Sequence, residues 1–494
     1  MANLKRRDFL KSAITAGIAA SLPACSDKIL PTATRQPSRA KSANLKPQNP
    51  NVIFIMSDDL CTALSGFGHP QCKTPNLDKL AERGTKFQRA YCQFPLCGPS
   101  RASLMTGMYP QAIGSITNHK SLFRKRHPNL VTMSQLFMQN GYHTVRVSKI
   151  YHMGIPGEIM SGTAKHDDPK SWGQTFNIKA AEMKTPGKFE DLSPGVKHQG
   201  ADFNLIKATG EDNLHADVKA VDKAIEVLRD RPKDKPIFLA TGLVRPHVPL
   251  LAPKRFFEPY KPENMKLPEN PADDLKDIPR AALTQANSRK YRMTKAQQKK
   301  ALAGYYASVA FMDAQVGRLI AELKAQNMYK NSIIIFSSDH GYNLGQHTCW
   351  QKLSLFEDSI RVPLIVCAPG KKQVPQTDSV VELIDLYPTL AELAQIKPPA
   401  NLQGKSFAPL LTKQTAHDWK NKPAYVITKN RGQAIVTKRW KLIAWSNGRK
   451  GTELYDLKLD PNEFDNLAGK KEYAKTLAKM KMLLRKQTRR ARKF

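Results

Sequence analysis

No apolar run in this 494-residue chain is long enough to span a membrane; the best candidate, 13–22, is short and only weakly apolar. Zinc-finger spacings and RNA-binding motifs are also missing, so nucleic-acid recognition has no motif to stand on. No internal repeat is evident, which sets aside a stacked array. Acidic residues are scarce: 42 Asp and Glu face 78 Lys and Arg, a formal charge of +36. That imbalance favours an anionic partner such as a lipid surface or an acidic polymer. Eleven of the basic residues fall in 470–494 against the single acid Glu472, a run that reads as a solvated helix face. The hydrophobic fraction, 41%, is ordinary for a globular protein. The length suits one large α/β domain plus a smaller second unit.

The first 25 residues read as an address. Arg6, Arg7, Asp8, Phe9, Leu10 and Lys11 form a twin-arginine pattern ahead of the weak apolar run. Leu22, Pro23, Ala24 and Cys25 are similar to a bacterial lipoprotein processing box, with Cys25 lipidated; a plain cleaved signal with an incidental Cys25 is the alternative. Residues 26–50, rich in Pro, Lys and Ser, read as a flexible tether. The expectation is an exported bacterial protein, periplasmic or anchored to the outer membrane, that meets a membrane only through Cys25.

Short β-branched runs at 51–56 (NVIFIM), 144–147, 236–241 (PIFLAT) and 332–336 (SIIIF) read as buried strands. Helical patterns at 77–83, 133–140, 216–229 and 302–324 lie between them. The alternation predicts an α/β fold: a doubly wound, mostly parallel sheet with helices on both faces, whose ligands sit at the carboxyl ends of the strands. Four of these strands lead into charged or imidazole residues at that edge: Asp58 and Asp59; Lys149 and His152; His247; Asp339 and His340. After 411 the pattern changes to short strands at 424–427, 433–436, 440–445 and 453–455, predicting a small antiparallel sheet closed by a terminal helix. The expected organisation is a signal over 1–25, the tether 26–50, a catalytic domain 51–411, a C-terminal subdomain 412–469 and a basic helical tail 470–494.

Asp58, Asp59, Asp339 and His340 offer three carboxylates and an imidazole, a set that suits calcium or magnesium better than zinc. Cys97, Gly98, Pro99, Ser100 and Arg101, leading into Thr106 and Gly107, carry the most specific signal. The C-x-P-S-R motif resembles that of sulfatases, in which the cysteine is oxidised to formylglycine. The resemblance is strongest to the iduronate-2-sulfatase-like group of type I sulfatases, in the alkaline phosphatase superfamily, and covers about 51–468. It is carried further by SDDL (57–60), TPNLDKLA (74–81), SKIYH (148–152), RPHVP (245–249), SDHGYNLGQH (338–347) and WQKLSLFE (350–357).

The resemblance implies that Asp58, Asp59, Asp339, His340 and the modified Cys97 bind one calcium ion. Lys149 and Lys352 are implied to hold the sulfate, with Arg101 on the nucleophile. His152 is implied to take the proton that drives sulfate expulsion, and His247 to protonate the leaving oxygen or hold the ester. Partners so implied are a sulfated carbohydrate substrate and a formylglycine-generating or sulfatase-maturating enzyme. A hydrated aldehyde suits the task because one hydroxyl attacks sulfur and the other, once deprotonated, expels sulfate.

With Cys25 lipidated and Cys97 modified, five cysteines remain, an odd number; Cys61 and Cys72 could bridge. Ser148, Cys61 and Gln346 stand where the group often has Gly, Arg and Glu. The long polar segments 153–200 and 260–292 are expected to carry substrate subsites, and the basic surplus fits a sulfated polysaccharide or its oligosaccharides. Two alternatives stay open: a phosphomonoester or phosphodiester hydrolase of the same superfamily, and a non-catalytic surface lipoprotein that binds sulfated glycan.

Overall fold

A computed structural model describes residues 49–118, 123–196, 201–283, 291–370 and 373–493. The twin-arginine pattern, Cys25 and nearly all of the tether lie outside the described residues. The central run begins as β1 (Asn51–Asp58) and is followed by α1 (Pro75–Arg83), β2 (Thr85–Tyr91) and α2 (Cys97–Thr106). Next come α3 (Met133–Gln139), β3 (His143–Val147), β4 (Gln174–Phe176), α4 (Ala216–Asp230), β5 (Ile237–Pro246) and α5 (Lys295–Ala325). The remaining sheet strands are β6 (Ser332–Ser338), β7 (Arg361–Val362), β8 (Leu364–Cys367) and β9 (Gln376–Glu382), with α6 (Leu386–Leu393) after them.

Together they make a nine-stranded sheet in the order β7-β2-β8-β6-β1-β5-β3-β4, with β9 beside β2. β1 lies parallel to both β5 and β6, pairing Val52 with Phe238 and Ile333. β7 and β8 run antiparallel to β2, so the sheet is mostly but not wholly parallel. Alternation along β1 explains the layers. Ile53 and Ile55 pack into the core beneath α1, α4 and α5, whereas Val52, Phe54 and Met56 pack toward α2, α3 and α6.

α5 starts seven residues earlier than the periodicity predicts because Thr294 and Gln297 form a reciprocal capping box. The Gln297 N–H donates to Thr294 Oγ1 at 3.2 Å and the Thr294 N–H to Gln297 Oε1 at 2.9 Å. The C-terminal sheet is as expected: β10 (Ala424–Thr428), β11 (Gly432–Val436), β12 (Trp440–Trp445) and β13 (Thr452–Asp456) form an antiparallel meander. The helix α7 (Ala474–Ala491) buries Met480, Leu484 and Ala491 against it.

One feature departs from expectation, and one question left open by the sequence is answered. The polar segment 153–200 contributes Gly187–Asp191 to a small sheet with Asn204–Ala208 and Leu250–Pro253, so part of it is scaffold. Cys61 and Cys72 are buried free thiols, as are the other four described cysteines.

Candidate active site

β1 and β6 end side by side and open the site. Asp59 lies in the left-handed region (φ 61°), a conformation that Asp tolerates better than most residues, and this turns it off the strand. Its N–H donates to Asp339 Oδ1 at 3.3 Å, while Ser338 Oγ accepts from the Leu60 N–H at 3.0 Å. These two bonds lock both acidic turns together across 280 residues of sequence. Cys97 is the first residue of α2, where the helix N-terminus meets the strand ends, and Ser100 Oγ donates to the Asp339 carbonyl at 2.5 Å.

Arg101 is fully buried and ties the cluster from beneath. Its Nε donates to Asp339 Oδ2 at 2.8 Å, Nη2 to Asp58 Oδ1 at 3.2 Å and Nη1 to the Lys149 carbonyl at 2.6 Å. Lys149 reaches the site because Ser148 turns with φ 61° and Gly242 of β5 leaves room. A Cβ at 242 would lie 2.1 Å from the Lys149 carbonyl oxygen. Lys149 Nζ donates to Asp58 Oδ2 at 2.5 Å. Lys352 Nζ donates to Asp59 Oδ1 at 2.7 Å and to Cys97 Sγ at 3.3 Å. Cys97 Sγ also lies 3.5 Å from Asp58 Oδ1 and 3.4 Å from His340 Nε2.

His340 faces the Gly341 carbonyl through Nδ1 at 2.9 Å, and His247 faces that of Val248 at 2.7 Å. A carbonyl can only accept, so Nδ1 carries the proton in each neutral ring and the Nε2 lone pairs point inward. His247 Nε2 is 3.6 Å from Asp59 Oδ2. His152 stands slightly apart, beside a small cavity lined by Gly98, Ser115, Asn118 and His166, with its Nδ1 buried and unpartnered. The structure thus gathers Asp58, Asp59, Cys97, Arg101, Lys149, His247, Asp339, His340 and Lys352 in one contact network, with His152 at its border.

The charges are arranged to stay apart. Burial alone would raise the Asp58 carboxyl, but Lys149, Arg101, His247 and Lys352 hold it well below the usual carboxylate range. Burial would likewise depress Lys352, and Asp59, Cys97 and Asp58 reverse that. Burial and Asp58 push the Cys97 thiol up, so the unmodified side chain is a poor nucleophile. His152 is pushed down to about 2 by burial and by Lys149, so its ring is neutral.

The donor set fits a hard divalent cation. Ligand-capable atoms of Asp58, Cys97, Asp339 and His340 all lie within 4.8 Å of one another. That is about twice a calcium–oxygen distance of about 2.4 Å, so one ion can touch all four. Asp59 and His247 form an overlapping set with Cys97.

The sulfatase family profile matches residues 50–396. The chain belongs to the sulfatase family. A second profile, the C-terminal region of N-sulphoglucosamine sulphohydrolase, matches 345–490. The chain is 31% identical to a Formosa agariphila sulfatase over 90% of its length and 88% of that protein's. It is 31% identical to human iduronate 2-sulfatase over 72% of its length and 71% of that protein's. Among solved structures it resembles one in complex with its substrate D-glucosamine-2-N,6-O-disulfate, with a TM-score of 0.71, 25% identity and coverage of 90% and 98%. A phosphonate monoester hydrolase from Silicibacter pomeroyi, at 21% identity and a TM-score of 0.72, shares the fold. The protein is therefore a sulfuric ester hydrolase.

Some residues that shape this sulfatase site escaped the sequence reading. Asp217 accepts from the N–H groups of Val244 and Arg245 at 2.6 and 3.1 Å, and Glu182 pairs with Arg245 at 2.5 Å. Arg245 Nη1 in turn donates to the carbonyls of His247 and Pro249 at 2.7 and 2.6 Å, so the trio shapes the His247 loop. Asp274 accepts from His347 Nδ1 at 3.0 Å, and Asn270 bonds Gly345 and His347, pinning the hairpin that leads into Lys352. Asp217 looks in sequence like an ordinary first-turn helix acid. Glu182 and Asp274 sit in segments without periodicity.

Proposed function

We propose that the protein hydrolyses sulfate esters of a sulfated polysaccharide or its oligosaccharides, with residue 97 as nucleophile after oxidation to formylglycine and one calcium ion beside it. The observation that carries this reading is the convergence of Lys352 Nζ, Asp58 and His340 Nε2 on Cys97 Sγ, all within 3.5 Å. The solved relatives support the substrate class: one was solved with a disulfated glucosamine and another is described as a 2-O GAG sulfatase, at 25% identity and a TM-score of 0.68. The basic surplus of +36 points the same way.

Asp58, Asp59, Asp339 and His340 would hold the calcium, which supplies charge neutralisation for the sulfuryl oxygens and lowers the nucleophile's pKa. Once oxidised and hydrated, residue 97 supplies one hydroxyl to attack sulfur and a second whose deprotonation expels sulfate. Arg101 helps keep Asp58 ionised and orients both Asp58 and Asp339. Lys149 and Lys352 place fixed cations where charge grows on the sulfuryl group as the S–O bond breaks. His152, neutral and with a free Nδ1, accepts the proton at the second hydroxyl. His247, once protonated at Nε2 as well, would donate to the leaving ester oxygen.

Sulfate release from a panel of sulfated oligosaccharides tests the activity, and mass spectrometry of the tryptic peptide spanning residue 97 tests the modification. Full activity with only unmodified thiol present would end the mechanism. Asp339→Asn should weaken calcium binding and turnover together, because it removes a full negative charge from the site; activity that survives chelation would end the metal assignment. Export through the twin-arginine route, with lipidation of Cys25, belongs to the same proposal. Fusion of 1–50 to a reporter, with and without Arg6→Lys/Arg7→Lys and Cys25→Ala, tests it.

A further inference from the structure

Every catalytic cation in the site described above answers to a nearby carboxylate. The cations of α7 do not. Lys475, Lys479, Lys481, Arg485, Lys486, Arg489 and Arg490 are all solvent-exposed. No acid follows Glu472 in the chain, and among the described residues no ion pair involves a Lys or Arg of this helix. The spacing is ordered. Lys475, Lys479, Met482, Lys486 and Arg489 follow one another at intervals of four and three, which aligns them as a single stripe over about 21 Å. Met480, Leu484, Gln487 and Ala491 occupy the opposite face and are buried.

Folding does not explain the stripe. Like charges one turn apart, such as Lys475 with Lys479 and Lys481 with Arg485, weaken a helix. Cations near the N-terminal turn also oppose its dipole. Arg490 is the exception: it donates to the Gln403 carbonyl, lies 6.0 Å over the Tyr109 ring and is therefore structural. Beside the stripe, a shallow depression of about 540 Å³ opens between Met482 and Lys493, and five of its six lining residues are Lys or Arg.

We infer that the exposed face of α7 is a binding surface for a linear sulfated polysaccharide, separate from the catalytic centre, that holds polymeric substrate by charge. The inference rests on the proposed substrate class. Charge complementarity fits a polyanion, and two other polyanions fit less well. An interfacial helix needs its apolar face free to enter lipid, whereas here that face is buried against β10–β13. Single-stranded nucleic acid calls for exposed aromatic platforms, and the stripe has none.

The test compares two full-length variants of equal charge. One is Lys475→Gln/Lys479→Gln/Lys486→Gln/Arg489→Gln. The other neutralises exposed lysines elsewhere, outside the expected subsites: Lys235→Gln/Lys254→Gln/Lys397→Gln/Lys413→Gln. Heparin serves as the polysulfated probe, with a B-form DNA duplex and phosphatidylserine vesicles in parallel, each over a range of salt. The helix variant is expected to lose about tenfold or more in heparin affinity. Its log K against log salt should become shallower by about three, as four contacts at about 0.7 each imply for a flexible polyanion. The second variant should lose less than a third as much. Equal losses in the two variants, or unchanged heparin binding in the helix variant, overturn the inference, as does a loss confined to DNA or vesicles. Circular dichroism checks that α7 remains helical, and the less disruptive Lys479→Gln/Lys486→Gln pair should give an intermediate slope. Sulfate release from a small sulfated sugar is measured alongside. If the unmutated protein releases none, the proposed activity fails, while the heparin comparison still decides the surface.

Discussion

Two buried clusters in this protein use the same residue types to opposite ends. At the strand ends Asp58, Asp59 and Asp339 face three cations, Arg101, Lys149 and Lys352, and their oxygens fall into two overlapping sets around Cys97, each with an inward imidazole nitrogen. Where the C-terminal sheet meets the main sheet, Glu357, Glu453 and Glu463 are buried around Lys441, with Arg361 4.0 Å from Glu357 at the edge. There the carboxylates diverge toward separate donors. Lys441 Nζ lies 2.6 Å from Glu463 Oε1 and 3.3 Å from Glu357 Oε1, and Tyr91 Oη donates to Glu357 Oε2 at 3.1 Å. Trp445 Nε1 and Tyr455 Oη donate to the two oxygens of Glu453 at 2.6 and 2.8 Å. Burial is therefore a poor guide to function. What separates the two clusters is whether the carboxylate oxygens converge with imidazole nitrogens and a cysteine sulfur within 4.8 Å of one another or diverge toward separate partners.

Cys97→Ser makes the sharpest test of the first cluster. A serine sulfate ester has no second hydroxyl to expel sulfate, so multiple turnover should vanish while the unfolding midpoint stays near that of the parent. Sustained turnover by this variant would remove the reason for singling out the strand-end cluster. Lys441→Ala strikes the second cluster by leaving buried carboxylates unpaired. It should cost about 3–5 kcal/mol of stability, read from denaturant midpoints, yet the protein that remains folded should release sulfate at the parental rate. A specific loss of turnover there would collapse the distinction.

Lys352→Ala is the mirror experiment. Turnover should fall about a hundredfold or more, about 3 kcal/mol in the barrier. The unfolding midpoint, measured with calcium present, should move less than for Lys441→Ala.

The gentlest probe is Glu453. Burial, outweighing its hydrogen bonds, raises this carboxyl from 4.5 to about 7. The folded state therefore binds a proton that the unfolded state has lost, and stability declines as pH rises from about 4.5 to about 7, by about 3 kcal/mol at most. Glu453→Gln should flatten that decline in melts run across this window. A parental slope in the variant would assign the titration to another group.

How much of this could be read from sequence follows the same divide. β1, β3, β5 and β6 were legible because apolar β-branched runs break abruptly into charge, and so nine of the ten candidate residues announced themselves at strand ends or in the C-x-P-S-R motif. Lys352, on a loop, was visible only through resemblance. β2 was not legible: Thr85–Tyr91 carries Lys86, Gln88 and Arg89 among its buried residues and shows no apolar run. Lys441, fully buried, looks in WKLIAW like a solvent-facing residue of an edge strand. Glu182, Asp217 and Asp274 act through partners far away in sequence, and nothing local marks them.

The burial of Cys97, only 1% exposed, has a consequence in time. If residue 97 is oxidised as proposed, the modifying enzyme needs access that the finished fold denies, because there Cys97 opens a helix and its thiol is crowded by Asp58, His340 and Lys352. The proposed oxidation would therefore come before that closure. His340 follows Cys97 by 243 residues. At ribosomal speeds of about 5–20 residues per second, the C-x-P-S-R segment has emerged for about 10–50 s before its lid is even synthesised. The wide separation of the two halves of the site along the chain thus works as a delay during which the nucleophile can be made.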